Sequence, residues 1–209
     1  MRTFWALLPA CFLSVACQSG SMSSATPSRS ESYKAACPPN GAMKRTSEGR
    51  EFIYMGSDPS DPEVCEWSVS GRAQKSRILY GIGVAAENEH AEENRQALRK
   101  IFPLEVGKSA SYSVLDNYTG RRVSYTVVSE QTITVPAGTF DTFLVENSWK
   151  GELGNNFHMV ERYWIDKDSS VVVKVESNIL NGYIRGRRIP SWDALRVSVP
   201  NSVIQKPKT

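Results

Sequence analysis

The sequence predicts a mainly β domain of antiparallel strands with one surface helix near residues 86–102. Three observations predict it. From Arg121 to Ser177 the chain runs through Val-, Thr-, Tyr-, Phe- and Trp-rich segments bounded by Gly, Asn or Asp, the pattern of half-buried strands. Shorter segments of the same kind fill residues 50–84. Between the two, Ala85 to Phe102 (AAENEHAEENRQALRKIF) is rich in helix formers, carries acids early and Arg and Lys late, and stops before Pro103.

Length and composition fit a single globular domain, placed at 33–200: 40% of the 209 residues are hydrophobic and 22% charged, enough to bury one core. A net charge of +3 argues against nucleic acid as the main partner, which needs a concentrated basic face.

The chain opens with an address. Arg2 supplies a short positive region, and Phe4 to Val15 an apolar run too short to span a bilayer. Leu13-Ser14-Val15-Ala16-Cys17 resembles the lipobox of bacterial lipoproteins, with a small residue before the cysteine; Leu13 lies one place further out than in the commonest form, and Ser14 fills its slot. The resemblance implies a signal peptide over 1–16, thioether lipidation of Cys17 and a membrane anchor in which each buried acyl methylene contributes ~0.8 kcal/mol. Gln18, where sorting to the inner membrane uses Asp, implies the outer membrane on its periplasmic side; a soluble periplasmic product is the alternative. Residues 17–32, Ser-rich after the cysteine, bury too little to offset their ordering entropy and read as a leash.

With Cys11 in the signal and Cys17 lipidated, Cys37 and Cys65 remain. In an oxidising compartment one remaining pair reads as a disulfide, and neither CxxC spacing nor a His cluster supports a metal. Arg50–Gly56 and Val64–Ser70 read as a hairpin around an acidic loop, Ser57 to Glu63, and Arg77–Val84 as a third strand. Three carboxylates in that loop are hard-oxygen ligands of the type Ca²⁺ takes, yet EF-hand spacing is absent and Asp-Pro pairs are turn formers. In the helix, Ala91, Leu98, Ile101 and Phe102 form a short apolar stripe, so packing is expected at its C-terminal end. His90 with Glu89, Glu92 and Glu93 lacks an HExxH pattern and reads as a solvated face.

The main sheet is expected over 104–200. Strands are read at Ala110–Leu115, along Arg121–Val135 and at Thr139–Lys150, Asn156–Asp166 and Ser169–Ser177. A short hairpin then turns at Asn181-Gly182, Trp192–Val199 forms the last strand, and 201–209 is a polar tail. Pro136 lacks a ladder donor and Gly138 tolerates positive φ, so Pro136-Ala137-Gly138 reads as a turn. Large apolar groups at Phe140 and Leu144 on one face and Phe143 and Val145 on the other predict a strand covered on both sides.

The phrase Val135-Pro136-Ala137-Gly138-Thr139-Phe140, followed by Tyr163-Trp164 and Val171-Val172-Val173-Lys174, resembles a recurrent unit of proteobacterial envelope proteins. Related exported domains are of the LolA/LolB-like kind. The resemblance covers about Leu104 to Ser177 and implies a strongly curved antiparallel sheet or half-barrel, with no catalytic residue.

Nucleophile elbows, phosphate loops and zinc spacings are absent from the sequence. His158 lacks a recognisable Ser signature, and Glu152 with Glu161 is an acid pair of undefined separation. The expectation is a non-catalytic envelope lipoprotein without metal or cofactor. One form of it binds an apolar or lipid ligand, with Trp149, Tyr163 and Trp164 lining the concave face. The alternative is a structural or docking lipoprotein that recruits an envelope protein by strand addition, with a hydrolase ranked behind both. Arg185, Arg187 and Arg188 are candidate contacts for anionic headgroups, weighed against a solvated loop.

Overall fold

A computed structural model describes residues 37–116, 119–152, 156–182 and 191–200. They lie in the compact unit Ser32–Thr209. Ten strands and one helix follow in order: β1 (Met43–Thr46), β2 (Glu51–Asp58), β3 (Asp61–Val69), β4 (Lys75–Leu79), α1 (Ala91–Ile101), β5 (Ser109–Asp116), β6 (Thr119–Val135), β7 (Gly138–Glu152), β8 (His158–Asp166), β9 (Val172–Asn181) and β10 (Trp192–Ser198). They form one antiparallel sheet in the order β4-β3-β2-β1-β10-β9-β8-β7-β6-β5, open at both edges. Consecutive strands pair except β4 and β5, which form the two edges, and β1 takes β10 as its second partner.

The sheet is strongly curved, and α1 lies in its hollow. Val64 and Leu79 from one end of the strand order share a core with Val123, Tyr125 and Val127 near the other, and with Ala97, Leu98 and Ile101 of the helix. The helix touches β4 as well as β5 and β6, which requires both edges to bend toward it. Packing extends from Asn94 to Ile101, further than the C-terminal stripe predicted, while Glu92, Glu93, Arg99 and Lys100 face solvent.

A second core forms on the opposite face. Ahead of Val128, odd positions of β6 face the helix; the bulge between Val127 and Ser129 shifts the register by one, so Ile133 and Val135 emerge on the other side. There they meet Phe140, Leu144, Trp164, Val171, Val173 and Tyr54. Pro136 and Ala137 make the two-residue turn, Gly138 has φ 140°, and the Ala137 N–H donates to the Ala194 carbonyl at 3.0 Å, fastening the hairpin tip to β10 without closing a barrel. β7 is covered on both faces, as its alternation predicts.

Several boundaries differ from the sequence reading: the third strand, read at Arg77–Val84, is β4 over Lys75–Leu79, because residues 80–84 turn, and β9 runs Val172–Asn181 rather than Ser169–Ser177. The acidic loop is two residues long, Pro59 and Ser60, and the flanking acids continue the strands. Arg77 binds Asp58, and Arg95 binds both Asp61 and Glu63, so arginines hold the carboxylates considered for Ca²⁺. The helix begins at Ala91 because Ala85 bridges to Ile78 and the Asn88 side chain accepts the His90 N–H, committing residues 85–90 to turns. Strand β1, with the sequence MKRT, has no apolar alternation to announce it. Cys37 and Cys65 form a disulfide, tying the start of the described residues to β3.

Candidate functional site

On the concave face, one row of the β6–β9 ladder is polar where its neighbours are apolar. Tyr125 pairs with Asn147, Asn147 with Glu161, and Glu161 with Ser177; the next row is Val127, Val145, Tyr163 and Val175. The row adjoining on the other side holds Val123, Trp149, Met159 and Ile179.

The polar row is organised around buried amides. Asn94 of α1 accepts the Val84 N–H and donates to Tyr112 Oη at 3.0 Å and Tyr125 Oη at 2.8 Å, joining helix to sheet. Asn147 is 2% exposed and hydrogen-bonds the Tyr163 hydroxyl, which donates to Glu161 Oε2 at 2.9 Å; Ser177 Oγ reaches Glu161 Oε1 at 3.5 Å. Burial first, then the Glu161 charge, pushes the Tyr163 hydroxyl well above its usual range. Two groups are left over. Asn147 Oδ1 and Trp149 Nε1 are buried without a hydrogen-bond partner, at a cost of about 1–3 kcal/mol each when unmet. Glu161, Ser177, Ile179 and Trp149 are half-buried, and the Arg121 guanidinium lies over the Trp149 ring at 6.0 Å.

Elsewhere the hollow is filled. Tyr80, Ile82, Phe102 and Leu104 follow the helix into the core. The crevice among Pro38, Tyr80, Phe102, Ile165 and Ser170 measures about 10 Å³, near the lower limit for one water.

Of the three aromatics predicted to line a site, the structure brings Trp149 and Tyr163 to the concave face and turns Trp164 to the other, where Lys174 lies over its ring at 5.0 Å. Adjacent strand residues alternate, so Tyr163 and Trp164 cannot share a face. Glu161 belongs to the site, whereas Glu152 faces outward with Arg122. Ser148 and His158 are 3.2 Å apart on the outer face, but the ladder neighbours of His158 are Lys150 and Asn181, neither an acid. Cys17 and Arg185, Arg187 and Arg188 lie outside the described residues. Asn147 went unread in sequence, although one signal was there: Val145, Asn147 and Trp149 occupy alternate positions of a buried face, and an amide in that series marks a polar site.

A second unusual group is Lys44, 4% exposed. Its Nζ lies 4.2 Å from the Trp192 ring centroid, 4.8 Å from Phe52 and 5.6 Å from Tyr54, and donates to the Val172 carbonyl at 3.2 Å. Burial lowers its pKa to about 7.

Comparison with known proteins places likeness over the same region. The family described as "Protein of unknown function (DUF3108)" matches residues 96–187, from within α1 through β9, and so includes Asn147, Trp149, Glu161, Tyr163 and Ser177. No curated protein matches. Among solved structures, the chain is similar to a Bacteroides fragilis protein described as exported and of YmcC-like fold, at 12% identity and TM-score 0.32, over 79% of this chain and 99% of that one.

Proposed function

We propose that this chain is a non-catalytic lipoprotein of a bacterial cell envelope, held on the outer membrane through Cys17. In this reading it binds a lipid-like ligand on the open part of its concave face. The observation that carries the binding reading is the pair of buried, unmatched groups Asn147 Oδ1 and Trp149 Nε1 in a part of the face where Glu161 and Ile179 are half-buried. Fully buried polar atoms are nearly always satisfied, so two at one place suit a ligand that supplies their partners. The Cys37–Cys65 disulfide suits an oxidising compartment and thereby the exported address. The opposite facing of Glu152 and Glu161 disfavours glycoside chemistry, which needs both acids at one bond.

A docking role is the second reading, favoured by β5. This edge strand carries no charge from Ser109 to Leu115, and Leu115 is 72% exposed, whereas edges that must avoid other strands usually present Lys or Pro. Native mass spectrometry of protein extracted from membranes separates the readings. A co-purified small apolar mass supports the first, a protein adduct lost on Ser113→Pro supports the second, and bare protein from gentle extraction overturns both. Palmitate labelling that survives in wild type and disappears in Cys17→Ser tests the anchor.

A further inference from the structure

We infer that the crevice over β1 and β10, in the middle of the strand order, is a phosphate-ester site held by Arg45 and Arg196. It uses none of the residues of the binding reading and stands apart from it.

Arg45 of β1 and Arg196 of β10 stand directly opposite each other on adjacent antiparallel strands. Residues so paired are the nearest neighbours on a sheet face, and like charges there cost stability. Both side chains are exposed, and among the described residues neither guanidinium forms an ion pair. With Met43, Lys44, Glu51 and Ser198 they line a crevice of about 100 Å³. One water needs about 10–15 Å³, so a polyatomic group fits here, unlike in the crevice beside Tyr80 and Phe102.

The charges around the crevice leave it positive. Glu51 of β2 lies opposite Arg45 on its other side, one carboxylate against two guanidiniums, and forms no ion pair with it. Lys44 belongs to the buried side of β1, where its Nζ is taken by the Val172 carbonyl. The next acids outward are engaged elsewhere, Glu48 with Arg50 and Asp193 with Lys174. An anion between the two arginines would turn their repulsion into a shared contact. A guanidinium grips an oxyanion through a fork of two N–H groups, and one fork uses up both oxygens of a carboxylate, whereas a tetrahedral phosphate has oxygens for two forks. Ser198, opposite Met43 in the next row, adds a hydroxyl donor. Glu51 at the margin suits an ester whose alcohol half carries free hydroxyls that donate to it, so the class is a phosphorylated polyol.

Melting curves and isothermal titration of the complete mature chain carrying Cys17→Ser test this with glycerol phosphate, inorganic phosphate and acetate at matched ionic strength. Glycerol phosphate is expected to raise the melting temperature and to bind at least about ten-fold more tightly than acetate. Equal effects of the two would reduce the site to general charge screening and overturn it. Arg45→Gln and Arg196→Gln should each weaken glycerol phosphate at least about ten-fold, the worth of a charge-assisted hydrogen bond. Without ligand each should melt no lower than wild type, because the like-charge pair is relieved, which separates lost binding from lost folding. Glu51→Gln should tighten inorganic phosphate, which lacks an alcohol half, by removing a repelling charge. Undiminished binding in both arginine variants, or no phosphate binding in wild type, overturns the proposal and leaves the Asn147 reading untouched. Dihexanoyl phosphatidylglycerol assigns the source: tighter binding than glycerol phosphate marks a lipid headgroup, and weaker binding marks a soluble ester.

Discussion

Lys44 of β1 donates to the backbone carbonyl of Val172, the first residue of β9, at 3.2 Å, across the place where, among the described residues, β9 and β10 pair through two residue couples. A buried ammonium thus fastens the four N-terminal strands to the C-terminal part of the sheet at its thinnest join.

Because desolvation lowers the Lys44 pKa from 10.5 to about 7, the unfolded chain binds a proton that the native state lacks between those values. Stability therefore rises with pH from about 7 toward 10, as the penalty for burying the charge is relieved. In Lys44→Met the rise is expected to be lost, and the variant should be more stable than wild type at pH 6.5 by a few kcal/mol, given ~1.4 kcal/mol per pKa unit. Urea midpoints at pH 6.5, 8 and 9.5 check this. Parallel curves for the two proteins would remove the buried-charge account.

Glu63 behaves in the opposite sense. Arg99 first, with Tyr80 and Arg95, holds its carboxylate down at about 2, and the same contacts clamp α1 to β3. Its contribution is present above pH 4.5 and is lost as pH falls toward 2. Glu63→Gln should cost roughly 1 kcal/mol at pH 7, reduced by solvent screening, and the cost should shrink steadily below pH 4.5 in denaturation experiments. A cost that does not change with pH would assign the effect to packing.

Asn94 joins three partners from two other parts of the chain, the Val84 N–H and the hydroxyls of Tyr112 and Tyr125. Asn94→Ala leaves the Val84 N–H unmet and the Tyr125 hydroxyl with Tyr112 alone, beside a fully buried position, and should cost about 1–3 kcal/mol. A Cβ added at Gly83 would stand 2.4 Å from Asn94 Oδ1, so Gly83→Ala should destabilise by a similar route. The melting temperature of each variant reads the effect; if Asn94→Ala melts with wild type, the amide bridge between helix and sheet is dispensable.

At the β6–β7 turn, Gly138 has φ 140°, where a β-branched residue is strained. Gly138→Val should lower stability by about 1–3 kcal/mol and loosen the tip that Ala137 ties to Ala194, visible as faster amide exchange at Ala137. An unchanged melting temperature and unchanged exchange would refute the role given to this turn.

Much of the fold was legible because its signals are local. Pro136 and Gly138 announce their turn through the backbone freedom that each lacks or has, Pro103 marks the end of α1, and the alternation of Phe140 to Val145 states that β7 has two covered faces. The candidate site was half legible. Trp149 and Tyr163 were read as facing the hollow, and strand alternation alone would have excluded Trp164. The pairing of Asn147 with Glu161 was not legible, because β7 and β8 are joined by a connection too long for a tight turn to fix their register.

By itself the sequence determined the class of fold, the strands of the C-terminal half and the cysteines able to pair, since alternation, turn chemistry and elimination act over a few residues or by counting. Only the tertiary structure decided that Met43–Thr46 becomes a strand against β10, that Lys44 is buried among Phe52, Tyr54 and Trp192, and that α1 fills the hollow. These outcomes join segments more than a hundred residues apart or depend on sheet curvature, which arises from the packing of all strands together and is written in no short stretch of the chain.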